Sequence, residues 1–355
     1  MTRQRFRAAV DAALSADPAL AERLTVTYLD LSPRVTAWKR RGFDVYWYYA
    51  LWQRRLTRTA RQLHAQVGFD VVHHVTFAAD WLPCGAARLA GVPLVWGPVG
   101  GATYLPVRMA RWVGVRGFIG ETGRSVFTRI CRRLWGDPAA ARAEVVITQN
   151  AEVAHRFRAA RKVVVEPNAA LGPMPSSRRQ PGSSAGRAIF VARLVAWKGA
   201  GLAISALAEP PLREWTLDVY GSGPEDARMR QLAERLGVAD RVVFHGHTAR
   251  AEVLEALAHA DVLLFPSLHD SAGWAAAEAS AMGCPVVCFD HGGPALLAGP
   301  NAHVVAMGGS SVPDLAAAAV RAAGTPVAPY DRWSRGRLPG LVHGWYQDAV
   351  SSRSG

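Results

Sequence analysis

Short apolar runs alternate along this chain with stretches in which apolar residues recur every three or four positions. A short apolar run bounded by turn residues is typical of a buried strand, whereas the longer spacing is typical of an amphipathic helix. The alternation predicts parallel α/β sheets with helical crossovers. Predicted strands occupy 24–31, 70–75, 93–97, 144–148, 162–166, 188–192, 215–220, 242–245, 261–266 and 285–289. Predicted helices include 224–236, 249–259, 312–323 and 331–350.

A stretch without periodicity divides these elements into two sets. Residues 171–187 (LGPMPSSRRQPGSSAGR) are rich in Pro, Gly and Ser, which is typical of a linker. We therefore expect a first domain over 1–170, a second domain over 188–328, and a C-terminal helix within 329–355 that crosses back to the first domain. Because open α/β sheets bind ligands at the carboxyl ends of their strands, two facing sheets would share one cleft.

The segment FPSLHDSAGWAAAEASAMGCP, residues 265–285, carries the strongest chemical signal. A buried-looking strand ends in a polar loop that contains Asp270, and a helix of small residues with Glu278 follows. Backbone N–H groups at a helix start attract a diphosphate. A carboxylate one turn into the helix can accept hydrogen bonds from both hydroxyls of a ribose. The alternative is an ordinary strand–loop–helix unit of an α/β protein.

Two cations follow the first strand after the linker, in FVARLVAWKG (190–199). Arg193 can bind two phosphate oxygens at once, whereas Lys198 acts as a point charge. Fixed cations stabilise a departing diphosphate more in the transition state than in the ground state. The alternative is a strand-end arginine and a solvated lysine.

These segments resemble the donor site of family 4 retaining glycosyltransferases. That family has the GT-B fold, an α/β architecture of two Rossmann-like parallel-sheet domains that face a cleft. The resemblance implies catalytic roles for Arg193, Lys198 and Asp270, with Asp270 contacting the sugar and Glu278 the ribose. The implied donor-binding residues are Gly221, Gly223, His245, Ser271, Ala272, Gly273, Trp274 and Glu278.

Further matches support this assignment more weakly. VYGSGPE (219–225) resembles the family's Gly-x-Gly-Pro turn, and RVVFHGHT (241–248) resembles the strand and loop beside the nucleobase. Either could be a plain connector. No metal site is expected, because the two histidines of 241–248 lack a third ligand at suitable spacing.

FDVVHHVTF (69–77) and PLVWGPVGGA (93–102) resemble the first-domain side of the cleft. Adjacent strand residues point to opposite faces, so we expect one of the two histidines to be packed. Glycines would let the backbone approach a sugar or phosphate closely, although a tight turn is the alternative. The implied acceptor-side residues are His73, His74, Gly100 and Gly101.

The chain also departs from the family pattern. Asp270 stands where Glu is usual, Ser271 and Ala272 stand where Gly-Phe is usual, and Ala169 replaces the Gly that normally follows Asn168. A carboxylate that is shorter by one methylene must lie closer to the sugar. The sugar contact is therefore predicted with less support than the ribose contact.

The resemblance implies retaining transfer of a sugar from a nucleotide-sugar donor, UDP- or GDP-linked, to an unidentified acceptor. The nucleotide sugar is a substrate, and neither a cofactor nor a metal is expected. Two alternatives stay open. One is a catalytically inactive GT-B relative that binds a partner or a membrane. The other is a different GT-B enzyme, such as a phosphorylase or a nucleotide-sugar epimerase.

The charge of the chain is concentrated in one half. Residues 1–135 hold 20 Lys and Arg against 8 Asp and Glu, whereas the rest of the chain is nearly neutral. This imbalance favours an anionic partner, either a membrane or an acceptor, over nucleic acid, for which no motif is visible. Ordinary solvated surface is the alternative. In 37–61, aromatic residues lie between Arg clusters, and we favour a core-packed helix over a membrane-interface helix.

The four cysteines form no C-x-x-C pair, and no apolar run reaches 18 residues. We therefore expect a cytoplasmic protein with reduced thiols, with peripheral association at the inner face of an anionic membrane as an extension.

Family members usually open with a strand, a Gly-rich loop and a helix before anything that matches residue 24. This chain opens with a helical, Arg-containing segment, and no Gly occurs between Met1 and Arg41. We therefore expect either upstream codons for an apolar strand and a Gly-containing loop, or a true deletion. A missing central strand would leave its neighbours unpaired, and unpaired buried backbone groups are costly.

Overall fold

Ten strands and their flanking helices organise the described part of the chain. A computed structural model describes residues 1–40, 44–75, 77, 79–101, 103–157, 159–175, 186–308 and 310–352. The strands are β1 Val72–His74, β2 Leu94–Val99, β3 Val145–Thr148, β4 Val163–Val165, β5 Arg187–Val191, β6 Thr216–Tyr220, β7 Val242–Gly246, β8 Val262–Phe265, β9 Val286–Phe289 and β10 Ala302–Val305. The α-helices are α1 Arg7–Ala16, α2 Pro18–Arg23, α3 Pro33–Ala37, α4 Asp44–Val67, α5 Ala110–Cys131, α6 Asp137–Arg142, α7 Ala151–Ala154, α8 Ala200–Leu207, α9 Asp226–Arg235, α10 Arg250–His259, α11 Trp274–Ala281, α12 Pro294–Ala298, α13 Ser311–Ala323 and α14 Leu338–Ser351.

The first sheet has the order β1-β2-β3-β4, with all pairs parallel. The predicted strand over 24–31 is wrong, because this stretch makes only an isolated bridge between Thr2 and Tyr28. Its apolar residues are used differently. Leu29 is buried against Tyr49 and Trp52 of α4, and the Trp52 indole donates to the Leu29 carbonyl over 2.7 Å.

The four strands of the first sheet pair without interruption, so the gap expected between two neighbours does not lie inside this sheet. Within the described ranges, no strand pairs with the outer edge of β1. The expectation of an upstream strand and Gly-rich loop stays a prediction.

The second sheet has the order β10-β9-β8-β5-β6-β7, again parallel throughout. Chain order reverses between β5 and β8, and such a switch point is where open α/β sheets bind ligands. Adjacent residues of β5 enter two different cores: Phe190 packs toward α8 and α13, whereas Ile189 packs toward α10 and α11. Both faces are covered, which explains the continuous apolar runs of these strands.

The chain crosses between the two sheets again near its C-terminus. Trp333 is buried in the second domain and donates to the Leu297 carbonyl over 2.8 Å. Trp345 of α14 instead packs on the first sheet beside Val95 and Ile147. Between them, Arg337 bonds the buried carboxylate of Glu166 over 2.7 Å.

The aromatic residues of 37–61 that the structure describes are partly core residues. Tyr48, Tyr49 and Trp52 of α4 are at most 4% exposed and pack with Trp81. None of the helices within the described ranges combines the length and apolar character needed to cross a bilayer. Most of the predicted linker, residues 176–185, lies outside the described residues.

Candidate functional site

The loops after β5 and β6 touch each other backbone to backbone. Leu194 donates its amide to the Ser222 carbonyl over 3.0 Å, and a Cβ added at Gly221 would lie 1.9 Å from the Ala192 carbonyl oxygen. At Gly223 the corresponding distance, to the Leu194 carbonyl, is 2.2 Å. Only glycine fits either position, because real Cβ atoms do not approach that closely.

Lys198 ends a one-turn 3-10 helix, Ala196–Lys198, at the carboxyl side of β5. Gly199 follows in the left-handed region at φ 81°, which starts α8 in a new direction. The Lys198 ammonium donates a hydrogen bond to the Asp270 carboxylate in the loop after β8. Both side chains are mostly buried, at 23% and 13% exposure. The structure thus unites two of the predicted catalytic residues at the switch point.

Arg193 lies two residues beyond β5, and its side chain is exposed to solvent. The structure therefore places it on the same loop as Lys198, open to the surface. An exposed guanidinium in this position can bind an anionic group that enters the site.

Hydrogen bonds from the second domain and from the first domain hold the loop that carries Asp270. The Asp270 carbonyl accepts a hydrogen bond from the Gly293 amide over 2.9 Å. The next residue, Ser271, accepts at Oγ from the Gly101 amide over 3.2 Å and at its carbonyl from Asn150 Nδ2 over 2.8 Å. Gly101 and Asn150 belong to the first domain, so these bonds cross the cleft at the predicted donor loop.

Gly100 and Gly101 follow β2. The Gly100 carbonyl accepts a hydrogen bond from the Asp80 amide over 2.9 Å. Gly101 adopts φ 99°, and a Cβ at this position would lie only 2.7 Å from Asp80 Oδ1. Asp80 is 2% exposed and lies 3.4 Å from Arg156. Burial raises the pKa of Asp80 to about 6. Sequence reasoning did not single out this carboxylate, since no motif surrounds it.

Two histidine–glutamate pairs also join the domains beside Asp270. His269 lies 3.6 Å from Glu121, and His291 lies 3.1 Å from Glu152. Burial alone would raise the pKa of Glu121, but hydrogen bonds from His269 and Arg124 lower it to about 2. These pairs could not be predicted from the sequence, because their members meet only when the domains dock.

Glu278 lies on α11 and is mostly buried, with 13% of its side chain exposed. Its carboxylate accepts from the Arg250 guanidinium at the start of α10 over 2.7 Å. Helix α11 begins after Gly273, which has φ 84°, and the Trp274 indole donates to Asn168 Oδ1 over 3.2 Å. Ala272 is packed against Gly293, where a Cβ would meet the Ala272 carbonyl oxygen at 2.5 Å.

The predicted nucleobase residue, His245, is engaged within the sheet. Its Nε2 lies 2.6 Å from Asp218 Oδ1, and its ring stacks on Tyr220 with centroids 4.2 Å apart. Arg187 bonds the other oxygen of Asp218 over 2.7 Å. The ring therefore lies along the face of β6, beside the loops that border Lys198.

Both histidines of β1 are packed, where one packed histidine was expected. His73 lies 3.1 Å from the Tyr346 hydroxyl and His74 lies 3.1 Å from the Tyr49 hydroxyl, on opposite faces of the sheet. Burial lowers the pKa of His73 and lowers that of His74 to about 4. Their acceptor-side role stays a prediction. Across the described residues, no three His, Cys, Asp or Glu side chains group together as a metal site would require.

Two Rossmann-like sheets whose strand ends face one cleft, with this loop set on the second sheet, define a GT-B protein. This confirms the fold class expected from the sequence. Residues 177–322 match the family of glycosyl transferases group 1. The match falls on the second domain, which is similar to members of that family.

The similar proteins include one curated relative and two solved structures. The 2-deoxystreptamine glucosyltransferase of Streptomyces kanamyceticus is 37% identical over 123 residues, which are 32% of this chain and 32% of that protein. The chain thus spans about a third of the length of that relative. The lipopolysaccharide outer core galactosyltransferase WaaB in its apo form shares 15% identity at a TM-score of 0.57, over 85% of this chain and 81% of its own. Anabaena HepE in complex with UDP and glucose shares 20% identity at a TM-score of 0.53, over 89% and 84%. At these identities the two structures show a shared fold.

Proposed function

We propose that the protein is a retaining glycosyltransferase that takes a sugar from a nucleotide-sugar donor. The observation that carries this proposal is the contact between Lys198 and Asp270 at the switch point of the second sheet. A cation for the diphosphate and a carboxylate for the sugar meet there, opposite the Gly101 backbone. The family match of the second domain and the glycosyltransferase relative support the same reaction class.

In this proposal the donor replaces contacts that the protein now makes with itself. The diphosphate takes the Lys198 ammonium from Asp270, and Arg193 folds onto the phosphates from solvent. Asp270 is then released to the sugar hydroxyls, and Glu278 exchanges Arg250 for the ribose. Negative charge grows on the leaving diphosphate as the glycosidic bond breaks, so the cations stabilise the transition state more than the bound donor.

Metal-independent transfer is part of the proposal, because Lys198 and Arg193 supply positive charge where the diphosphate would lie. The transition state resembles an oxocarbenium ion, as in glycoside chemistry. The acceptor hydroxyl attacks from the face that the diphosphate leaves, which retains the anomeric configuration. We propose a UDP- or GDP-linked donor; the HepE structure, which holds UDP and glucose, supports the first. The first domain would present the acceptor across Gly100 and Gly101.

Donor entry requires the domains to separate slightly, because Ser271 is bonded directly to Gly101 and Asn150. These hydrogen bonds are few and partly exposed, and exchange with a ligand compensates for their loss. The bound donor would thus take the place of the direct contact between the domains.

A thermal-shift titration with nucleoside diphosphates tests the proposal. A ligand that binds only the folded state stabilises it by about 2.7 kcal/mol at one hundred times its dissociation constant. We expect UDP or GDP to raise the melting temperature, and Lys198→Ala to reduce the increase to about half or less. Lys162→Ala is the matched control, since Lys162 forms an ion pair with Asp348 on the surface. A folded protein that no nucleoside diphosphate stabilises would overturn the assignment.

Turnover completes the test. Incubation with radiolabelled UDP-sugars and a panel of acceptors should release the nucleoside diphosphate and form a glycoside with the donor's anomeric configuration, which NMR measures. Inversion of that configuration would contradict the retaining mechanism. Binding of the donor without transfer to any acceptor would favour an inactive relative.

A further inference from the structure

The outer side of helix α5 is apolar and uncovered in the described structure. Its large exposed side chains recur at spacings of four and seven residues, which places them on one side of a helix. Their exposures range from 51% to 77%. We call this surface the α5 outer face; its residues are Val115, Ile119, Val126, Phe127, Ile130 and, just beyond the helix, Leu134. Contiguous exposed apolar surface of this kind marks an interaction site.

Arginines border the α5 outer face. The stretch 107–136 contains seven arginines and one glutamate. The glutamate is Glu121, which turns inward to Arg124 and His269 and keeps 12% of its side chain exposed. Arg129 and Arg133 are exposed beside the apolar stripe, and Asp137 at its end is paired with Arg132 over 3.3 Å. The surface around the stripe is therefore cationic.

The cationic surface continues beyond the end of α5. Leu134 and Trp135 line a shallow cavity of about 130 Å³ together with Arg88, and Trp135 borders a smaller one with Arg88 and Arg54. Three more arginines of α4 are also exposed: Arg55, Arg58 and Arg61. Apolar and cationic groups thus lie side by side where the end of α5 approaches α4.

We propose that the α5 outer face docks on an anionic lipid bilayer. Its apolar side chains would enter the headgroup region, and the flanking arginines would bind lipid phosphates. A second copy of this chain is the main competing occupant. A two-fold dimer would bring the same surface against itself, so its arginines would face one another with few carboxylates to neutralise them. Charge complementarity therefore favours the membrane.

This inference gives a location to the membrane association that the basic half of the sequence suggested. The inner side of α5 carries Glu121 and Arg124, which bond His269, the residue before Asp270. A bilayer on the outer face would lie about one helix diameter, roughly 10 Å, from the candidate site. An acceptor anchored in that bilayer would need to reach only a short distance into the cleft.

Vesicle co-sedimentation tests the proposal without any donor or acceptor. We expect wild-type protein to bind phosphatidylglycerol vesicles at least tenfold more tightly than phosphatidylcholine vesicles, with release by salt. The triple variant Ile119→Ser/Val126→Ser/Ile130→Ser should lose at least tenfold in affinity. Its control is Val243→Ser/Val304→Ser, which removes two comparably exposed residues of the second domain and should bind as wild type.

The charge contribution needs its own pair of variants. Arg129→Gln/Arg133→Gln should weaken binding to phosphatidylglycerol vesicles at least threefold, whereas the exposed second-domain pair Arg213→Gln/Arg321→Gln should not. An environment-sensitive dye on Val126→Cys should shift to the blue on these vesicles, and the same dye on Val304→Cys should not. The four native cysteines are buried, which leaves the introduced thiol for labelling.

Equal binding to both vesicle types, or a triple variant that binds as tightly as wild type, would overturn the proposal. A second result would also overturn it: wild-type protein that is dimeric in sedimentation and does not bind vesicles, with a triple variant that is monomeric. The α5 outer face would then be the interface between two copies of the chain. Circular dichroism and the melting temperature of each variant without ligand check that it is folded. Because these readouts are separate from lipid binding, failure here leaves the proposed glycosyl transfer untouched, and the reverse also holds.

Discussion

The Arg250 guanidinium donates to the Glu278 carboxylate over 2.7 Å, at the position proposed to bind the donor ribose. Ribose binding must therefore break an ion pair that already exists. Arg250 is about half exposed, at 53%, so solvent and salt screen the pair. An exposed pair contributes about 0.2–1 kcal/mol, which sets the cost of the exchange.

Arg250→Ala should consequently tighten the binding of UDP or its sugar by up to about fivefold, the equivalent of 1 kcal/mol. Isothermal titration calorimetry measures the change, with Arg228→Ala as the control because Arg228 pairs with Glu225 away from the cleft. Weaker binding in the Arg250 variant would mean that the guanidinium contacts the donor rather than competing with it.

Lys198→Ala should remove most turnover and weaken nucleoside-diphosphate binding while the fold survives. Loss of a hydrogen bond to a charged group costs about 1.5–3 kcal/mol, or roughly 10- to 150-fold. Steady-state kinetics with the identified donor measures this, and Lys162→Ala should behave as wild type. Turnover of the Lys198 variant within twofold of wild type would refute the assignment.

Glu278→Gln and Asp270→Asn should affect different constants. Loss of a ribose contact raises the apparent constant for the donor, whereas loss of a sugar contact that strengthens in the transition state lowers the turnover number. We therefore expect the first variant to change mainly KM and the second mainly kcat. A reversed pattern would exchange the two roles.

His74 should contribute a loss of stability as the pH falls below 6.5. Its pKa is lowered to about 4 in the folded state by burial. The unfolded state, with a pKa of about 6.5, therefore takes up the proton first as pH falls, and folding loses free energy until about pH 4. At pH 5 this loss is about 2 kcal/mol.

Urea unfolding at pH 7.5 and pH 5 measures that loss, and His74→Gln isolates the contribution of this imidazole. The variant is less stable at neutral pH, because the bond to Tyr49 changes, but it should lose about 2 kcal/mol less than wild type between the two pH values. Identical pH dependence in both proteins would show that His74 remains neutral or equally accessible in both states.

The second sheet was predictable because its central strands are covered on both faces. Such strands form uninterrupted apolar runs, as in β5 and β8, and these runs coincide with the predictions within one or two residues. The edge strand β10, Ala302–Val305, was missed. It has only four residues, and Ala302 and His303 open it, so it does not form a continuous apolar run.

The errors in the first domain have physical causes as well. The alternating residues of 24–31 fit the pattern of a strand, but they fit an extended segment packed on α4 equally well. The Trp52 indole donates to the Leu29 carbonyl, which in a strand would accept a hydrogen bond from a neighbouring strand. Helix α5 was missed because four glycines interrupt it, at 114, 117, 120 and 123. Gly114, at φ 71°, forms a non-helical kink, and before it Val113 packs into the core of the second domain.

Some residues of the candidate site could be predicted from the sequence, and others could not. Local motifs led to Lys198, Asp270 and Glu278, whose spacing is written in short segments. They did not lead to Arg250 or the first-domain partners Glu121 and Glu152, because nothing in the local sequence records which surfaces dock. Contacts between distant segments are the part of a site that one sequence leaves open.

Gly221 and Gly223 confine where this protein can change its substrate preference. Every side chain larger than hydrogen at these two positions would collide with the Ala192 or Leu194 carbonyl oxygen. Substitution of either glycine would therefore disrupt the contact between the two loops and would not give the site a new side chain. Selection for a new base or sugar must act instead on loops with exposed side chains, such as the one that carries His247. Directed evolution of donor choice would be most efficient if its libraries held the two glycines constant and varied those loops.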